Sequence, residues 1–170
     1  MRAYTPGGRF DSDFETNELL VGVDTDLKHP VGTFADWWVW DPINTEVDPI
    51  YDVGSLEVGR RWTGPKRLPV VRAVITQGQV PNSELGYYNA DTLHLTLNAE
   101  DVEAIAPGVI TNPDYQNRGR IVWKNEVYRP VAVQQRGIIA ERFTLLVVDC
   151  IQVSPEEMVN DTQFANYANY

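Results

Sequence analysis

GRIVWKNEVYRPVAVQQRGIIAERFTLLVVDCIQV, residues 119–153, is the stretch of this chain that decides its fold. It holds three apolar runs rich in β-branched and aromatic residues, at 121–123, 127–135 and 143–153. Runs of this kind, separated by short turn signals, are typical of consecutive antiparallel strands. Two successive hairpins form a meander, and so apolar a meander must be covered by further structure. The stretch therefore predicts an all-β fold, a small barrel or sandwich.

The two turns and one proline within this stretch have specific consequences. Asn125, in Lys124-Asn125-Glu126, is the residue best suited to a left-handed turn conformation. Arg136-Gly137 is expected to end the second strand. Pro130 lacks a backbone donor, which predicts a sheet edge or a bulge at that point. The third run has five apolar residues on one face, interrupted by Asp149: Phe143, Leu145, Val147, Ile151 and Val153.

Upstream, residues 91–97 alternate strictly, with three leucines on one face and Thr92, His94 and Thr96 on the other. This period of two predicts a half-buried strand. Residues 69–77 read as another strand, with Val71, Ala73 and Ile75 inward and Arg72 outward. The three leucines are Leu93, Leu95 and Leu97.

Two helix starts are recognisable. Asn98 is expected to cap one short helix over residues 99–106, which has carboxylates in its first turn and ends at Pro107-Gly108. Ser154 is expected to cap a second start, with Pro155 in the first position and Glu157 placed for a capping box. The following residues give no clear pattern.

Charge is distributed unevenly along the chain. The net charge is -10, yet residues 11–57 contain 12 acidic residues and one basic residue, Lys28. This suits a solvated acidic arm over residues 1–33. It suits residues 34–52 poorly, because that part is rich in tryptophan. Trp37, Trp38 and Trp40 are therefore expected either to bind a partner subunit or to lie in the core of the chain itself.

These patterns divide the chain into four parts. Residues 1–33 form an N-terminal extension and 34–68 an acidic, aromatic arm. Residues 69–153 form the β-barrel domain, and 154–170 a C-terminal tail. No apolar run approaches the ~20 residues that span a bilayer, so no membrane partner is expected. The single Cys150, within a strand, is expected to be a buried reduced thiol in a protein that folds in a cytoplasm.

The residues quoted above also carry a family resemblance. EVYRPVAV at 126–133, the Arg-Gly turn and the long final strand resemble the carboxy-terminal half of the head–tail joining (stopper) proteins of long-tailed bacteriophages. DPIYDVGSLEVGRRWTGPKRLPV at 48–70 is similar to the corresponding proteins of actinobacterial phages. The resemblance implies a small β-barrel that forms a ring below the portal and adaptor of a capsid, retains packaged DNA and offers a surface to the tail.

That resemblance carries several expectations about partners. The chain would form a hexameric or dodecameric ring in the virion neck, assembled in the host cytoplasm. The ring would contact the portal or adaptor ring and the tail terminator or tail tube, and would enclose double-stranded DNA without reading its sequence. Besides the tryptophans, the basic residues expected at partner contacts are Arg60, Arg61, Lys66 and Arg67.

The connection between the strands at 69–77 and 91–97 is longer than an ordinary hairpin loop. In related stoppers a loop between early strands obstructs the channel, which the resemblance implies here too. An ordinary surface loop that contacts a neighbouring ring is the alternative. The residues expected in the channel loop are Gln79, Val80, Pro81, Asn82, Ser83 and Glu84.

Each catalytic or metal-binding motif that the sequence partly matches lacks residues that the motif requires. No catalytic residue, metal site or cofactor is therefore expected. The segment 59–64, followed by Pro65-Lys66-Arg67, lacks the amide and the hydroxyl of a phosphate-binding loop. His29 and His94 have no Cys or His at metal-ligand spacing. The paired aspartates at 11–13 and 24–26 lack the glycine and distal glutamate of a calcium loop. No serine lies in a nucleophile elbow.

Two other functions remain open. A tail-terminator ring protein would share the same barrel and surroundings. An oligonucleotide-binding barrel would need a basic groove with exposed aromatic side chains. The acidity of the whole chain opposes non-specific binding of nucleic acid by a monomer. The basic residues that could form such a groove fall into two clusters. The clusters are Arg60, Arg61, Lys66, Arg67 and Arg72, and Arg118, Arg120, Lys124 and Arg129.

Overall fold

The fold is a closed antiparallel β-barrel of six strands, which confirms the predicted fold class. The computed structural model describes residues 21–22, 33–45, 60–78, 91–139, 142–158 and 161–167. Around the barrel the strands follow the order β1-β2-β3-β6-β5-β4, and β4 pairs with β1 to close it. The strands are β1 Phe34–Trp40, β2 Trp62–Thr76, β3 Thr92–Asn98, β4 Arg120–Trp123, β5 Glu126–Ile139 and β6 Arg142–Gln152.

Short helices fill the connections. The helices with described bounds are α1 Ala99–Ile105, α2 Pro113–Asn117, α3 Pro155–Met158 and a 3-10 helix, Thr162–Tyr167. The expected cap at Asn98 is confirmed, because its side chain accepts a hydrogen bond from the amide of Glu100 at 3.1 Å. Ser154 caps α3 through the amide of Glu157, at 3.3 Å. No helix in the described part of the chain is long and apolar enough to cross a membrane.

The meander of β4, β5 and β6 has the predicted order. Lys124 and Asn125 both adopt positive φ, 48° and 68°, as the β4–β5 turn requires. Pro130 lies at a bulge, because the β5–β6 register shifts between Pro130 and Ala132. The bulge leaves Val131 without a direct partner on β6. The expected left-handed turn and the expected irregularity at Pro130 are both confirmed.

The prediction that Arg136-Gly137 ends the second strand is wrong. β5 continues to Ile139, with Arg136 opposite Leu145 and Ile138 opposite Phe143. Gly137 takes a φ of 67° inside the strand, a value that glycine adopts without steric cost. Its carbonyl accepts a hydrogen bond from the Thr144 hydroxyl at 2.9 Å, so the local distortion is tied to the opposite strand.

The apolar face expected for β6 is not the face that fills the barrel. Leu146, Val148 and Cys150 are fully buried, whereas Phe143 is exposed and Leu145 is only half-buried. Both faces of β6 are apolar through residues 145–148, so the period of two cannot distinguish inside from outside. The strict leucine pattern of β3 has no such ambiguity, and Leu93, Leu95 and Leu97 are buried as predicted.

β2 also differs from its prediction. It begins at Trp62, before Gly64-Pro65, and its inward residues are Leu68 and Val70. A register shift between Val70 and Arg72 alters the alternation, so Ile75 is exposed where an inward position was expected. The Gly64-Pro65 bond within this strand is cis.

β1 pairs with β2 on one side and β4 on the other, so residues 34–40 belong to the barrel wall. The barrel therefore begins at Phe34, before the boundary expected at residue 69. The aromatic part of the expected arm supplies a barrel strand. Residues 1–20, 23–32 and 46–59, which hold the rest of the acidic segment, lie outside the described residues.

Most of the wall formed by β1 and β4 is covered on both faces, although Phe34 is exposed. Ala35, Trp37, Ile121 and Trp123 point into the barrel core. On the outer face a second apolar cluster joins the wall to the C-terminal tail. Its members are Trp40, Trp62, Val122, Val127, Val153, Met158 and Phe164, with Trp38 and Tyr167 packed against it. All four residues of β4 are consequently buried.

Candidate interaction surfaces

Of the three tryptophans of β1, Trp37 and Trp40 are buried by the chain itself and Trp38 is half-buried. Trp37 lies in the barrel core and Trp40 in the outer cluster. Trp38 packs edge-on against Phe164 in the tail, with ring centroids 5.3 Å apart. Trp40 and Phe164 both pack edge-on against Trp62. Since Trp37 is fully enclosed, its side chain is not available to a partner.

A buried ion-pair network fastens the tail to β4. Arg120 donates to Asp161 from Nε at 3.1 Å and from Nη2 at 3.0 Å. Its Nη2 also lies 2.8 Å from Glu157 Oε1. Arg60 Nε donates to the other Asp161 oxygen at 2.8 Å. Arg129 contacts Glu157 from the outer side at 3.6 Å.

Burial dominates the electrostatics of this network. Arg120 is 2% exposed and Asp161 is fully buried, so both charged groups have lost most of their hydration. Burial raises the pKa of Asp161, although the neighbouring Arg120 and Arg60 oppose that change. Burial likewise lowers the pKa of Arg120 against the attraction of Asp161 and Glu157. The geometry is that of a structural clamp, since the buried charges face each other and not a cavity.

Arg60, which was expected at a partner contact, forms an ion pair with Asp161 within the same chain. Glu157 also departs from its prediction, because its carboxylate contacts Arg120 and Arg129 instead of completing a capping box. The aspartate that binds both arginines, Asp161, gave no signal in the sequence.

The remaining basic candidates lie exposed along β2. None of the described residues forms an ion pair with Arg61, Lys66, Arg67 or Arg72. In contrast, four other arginines each pair with a carboxylate: Arg60, Arg118, Arg120 and Arg129. The guanidinium of Arg67 lies 4.5 Å from the ring centroid of Phe34, which is itself exposed. We call these four residues, Arg61, Lys66, Arg67 and Arg72, the β2 basic surface.

The distal part of the β5–β6 hairpin is a second exposed surface. The last residue of β3, Asn98, pairs with Leu145, so residues 142–144 of β6 have no β3 partner. On β5, pairing with β4 ends at Tyr128. Beyond these points the two strands pair only with each other among the described strands. Ile138 and Phe143 are directly opposite and 66% and 43% exposed. An exposed apolar pair on a strand edge is a feature that soluble monomers usually avoid.

A histidine–aspartate pair occupies the outer face of β3 and β6. His94 Nδ1 lies 2.6 Å from Asp149 Oδ1, and the two residues are directly opposite in the β3–β6 register. In the sequence His94 was noted only on the polar face of its strand and without Cys or His at metal-ligand spacing, and Asp149 only as an interruption of an apolar face. Their pairing follows from strand register, which the sequence did not specify.

A shallow groove lies where the C-terminal end of β1 meets the C-terminal tail. Its polar floor is held in place by Gln163, whose side-chain amide accepts from the Trp62 amide at 2.7 Å and donates to the Trp62 carbonyl at 3.1 Å. Hydrogen bonds from the Asn44 side chain, and from the amides of Asn44 and Ile43, hold the pKa of Asp41 below its usual range. The groove is lined by Asp41, Asn44, Arg61, Trp62, Thr63 and Gln163.

The residues expected in the channel loop, Gln79 to Glu84, lie outside the described residues. The two ends of the connection are described, and they meet: the amide of Gly78 donates to Asp91 Oδ1 at 3.4 Å. The connection therefore leaves and re-enters the barrel at one point. His29 and the carboxylates before Thr33 also lie outside the described ranges. Within those ranges no three His, Cys, Asp or Glu residues are grouped as metal ligands.

The chain has a distant structural likeness to a known protein. No protein-family model matches the chain, and no curated protein does. A solved structure described as the virion of a native gene transfer agent particle contains a chain that is similar at 15% sequence identity. That alignment covers 72% of this chain and 96% of the other, with a TM-score of 0.44. The function is therefore inferred from the residues of this chain.

Proposed function

We propose that this chain is a structural subunit of the neck of a tailed bacteriophage. It forms a ring that joins the portal or adaptor to the tail and keeps packaged DNA inside the capsid. The proposal rests on the sequence resemblance at 48–70 and 126–153 together with the surface of the barrel. The subunit has no catalytic role in this account, and its partners are other virion proteins and the DNA that passes through the ring.

The observation that carries the proposal is the exposed distal hairpin. Ile138 and Phe143 would leave apolar surface in water if the chain worked alone, which is unfavourable for a protein of this size. Contact with another protein removes that surface from water. Among the described strands β5 also has no partner beyond Tyr128 on its β4 side, and a strand of another molecule can pair there. Both the exposed apolar pair and the free strand edge are expected in a subunit of a permanent assembly.

DNA retention is assigned to residues 79–84. The hydrogen bond between Gly78 and Asp91 brings the two described ends of this connection together. In a ring, six or twelve such loops pointing at the axis obstruct the channel sterically. The one charged residue of 79–84, Glu84, repels phosphate and so does not grip the DNA.

Removal of the chain from a phage tests this proposal. A phage without it is expected to produce capsids that package DNA and then lose it, together with complete unattached tails. The supply of the intact chain in trans restores joined particles. If particles without the chain retain DNA and carry tails, the proposal is wrong. Tails of uncontrolled length, with capsids that hold their DNA, would instead identify a tail-terminator ring protein.

A second candidate function, an oligonucleotide-binding barrel, is favoured by one feature. The β2 basic surface lies beside exposed Phe34, and cations next to an exposed ring are what a single-stranded nucleic acid requires. This candidate predicts that the isolated monomer binds single-stranded DNA with an affinity that falls steeply as salt rises. The neck subunit predicts no such binding by the monomer.

A further inference from the structure

We propose that the β2 basic surface binds the acidic segment 11–26 of a neighbouring copy of this chain, and that this contact links subunits within the ring. The inference rests on the proposed ring and deepens it by naming the surfaces that meet. It follows from two observations: cations on and next to one strand that have no ion-pair partner among the described residues, and an excess of carboxylates in one segment.

The cations of β2 are chemically unsatisfied. Of the six lysine and arginine residues that have described side chains and no carboxylate partner, four lie on or next to β2, and the others are Lys124 and Arg136. Like charges brought together along one strand repel each other unless anions approach them. Arg136 on β5 is also unpaired, but four unpaired cations occur together only on and next to β2. Among the described residues no carboxylate forms an ion pair with these four, although Asp36 on β1 lies opposite Arg67 in the register.

The same chain contains the matching anions. Residues 11–26 hold Asp11, Asp13, Glu15, Glu18, Asp24 and Asp26 and no basic residue. Without a cationic partner this segment repels itself. A protein that carries a basic surface and a separate acidic segment can join its copies head to tail, because each copy presents one of each. Such heterologous contacts close into a ring when the rotation between copies allows it.

The proposed ring makes a neighbouring copy the source of the segment. In a closed ring each copy presents its basic surface to one neighbour and its acidic segment to the other, so the same contact repeats around the ring.

Zero-length cross-linking tests the contact directly. A carbodiimide couples a lysine amine to a carboxylate without a spacer, and Lys66 is the lysine of the β2 basic surface. The full-length chain is prepared with 14N and with 15N, and the two preparations are mixed in equal amounts at low ionic strength. Mass spectrometry then reads whether each cross-linked peptide pair combines both isotopes.

The expected result is a cross-link between Lys66 and residues 11–26 whose peptides mix the two isotopes. It should disappear in 1 M salt, where the screening length is about 3 Å. It should also disappear in the doubly reversed variant Arg67→Glu, Arg72→Glu. The matched control is Lys124→Glu, which reverses an exposed cation in the β4–β5 turn and should leave the Lys66 cross-link unchanged.

Two results would overturn the inference. A Lys66 cross-link confined to one isotope would show that the segment binds its own barrel. The absence of any cross-link between Lys66 and residues 11–26 would show that β2 does not bind this segment. Neither result removes the proposed function, because ring formation in the neck is judged separately by imaging of particles.

Discussion

Arg120 on β4 and Asp161 in the C-terminal tail form an ion pair in which both side chains are buried, with Arg120 Nη2 and Asp161 Oδ2 3.0 Å apart. They are 41 residues apart in the sequence. The pair fixes the tail over the outer face of the barrel wall, where Phe164 packs against Trp38 and Trp62. The tail is thus part of the fold.

Removal of one partner of this pair should be strongly destabilising. Asp161→Ala leaves the Arg120 guanidinium buried with Glu157 as its remaining carboxylate, and losses of about 3–5 kcal/mol are typical of a broken buried pair. Asp114→Ala is the matched control, because Asp114 pairs with Arg118 on the exposed surface and should cost at most about 0.5 kcal/mol. Urea unfolding measures both. Equal losses would show that the clamp does not stabilise the fold.

The outer cluster should contribute as much to the free energy of unfolding as an ordinary hydrophobic core does. Phe164→Ala removes a fully buried ring from contact with two tryptophans, and such truncations cost about 3–5 kcal/mol. Ile43→Ala, at a residue that is 90% exposed, should stay within about 0.5 kcal/mol of the original chain. The same unfolding experiment compares them. A Phe164 variant as stable as the Ile43 variant would contradict the packing of the tail.

Stability should fall in alkaline solution. Burial raises the pKa of the Cys150 thiol and, with the hydrogen bond to Glu126, that of the Tyr128 hydroxyl. Both folded values lie above the unfolded values of about 8.5 and 10. The stability that each group contributes is therefore complete below its unfolded pKa. It is lost as the pH rises toward the folded value, by up to about 1.4 kcal/mol per pH unit for each group.

Urea midpoints measured from pH 7 to 10.5 should show this loss beginning near pH 8.5. Cys150→Ala should delay the onset until Tyr128 is affected, near pH 10. An unchanged onset in the Cys150 variant would show that the thiol does not cause the loss.

The distal hairpin should be needed for assembly and not for folding. Ile138→Lys and Phe143→Lys place charges on exposed positions, so the isolated chain should remain folded. An apolar anchor at the centre of an interface typically contributes about 2 kcal/mol or more, so joined particles should become rare. Ile43→Lys is the control at another exposed apolar site. Counts of tailed particles in electron micrographs measure the effect; normal counts for both hairpin variants would exclude the hairpin as a contact.

Deletion of residues 80–85 should separate ring formation from DNA retention. Necks should still form, because the barrel strands are intact, but filled capsids should leak DNA. Glu84→Gln should retain DNA, since the loop is proposed to act by its bulk. DNA release is measured by nuclease sensitivity of purified capsids. Particles that keep their DNA and merely fail to join tails would make the loop a docking element.

Local patterns in the sequence were enough to predict much of the barrel. The strict alternation at Leu93, Leu95 and Leu97 predicted β3, and Asn98, Asn125 and Pro130 predicted a cap, a turn and a bulge. Each of these is a property of one residue and its immediate neighbours. For that reason they could be read without knowledge of the fold.

What the sequence did not reveal depends on contacts between distant residues. The inner face of β6 could not be chosen, because Leu145 and Leu146 are equally apolar and only the register of β3 decides between them. The Arg120–Asp161 clamp and the His94–Asp149 pair likewise arise from the fold. Nothing in the residues next to a charged side chain indicates which distant residue it will pair with.

The most direct test of the central claim is the imaging of assembled necks at a resolution that shows individual subunits. The proposed function predicts a closed ring of six or twelve copies of this chain, between the portal or adaptor and the tail. In that ring the β5–β6 hairpin of each copy should contact another protein. A neck with one copy of the chain, a two-fold dimer, or none of this chain would contradict the claim.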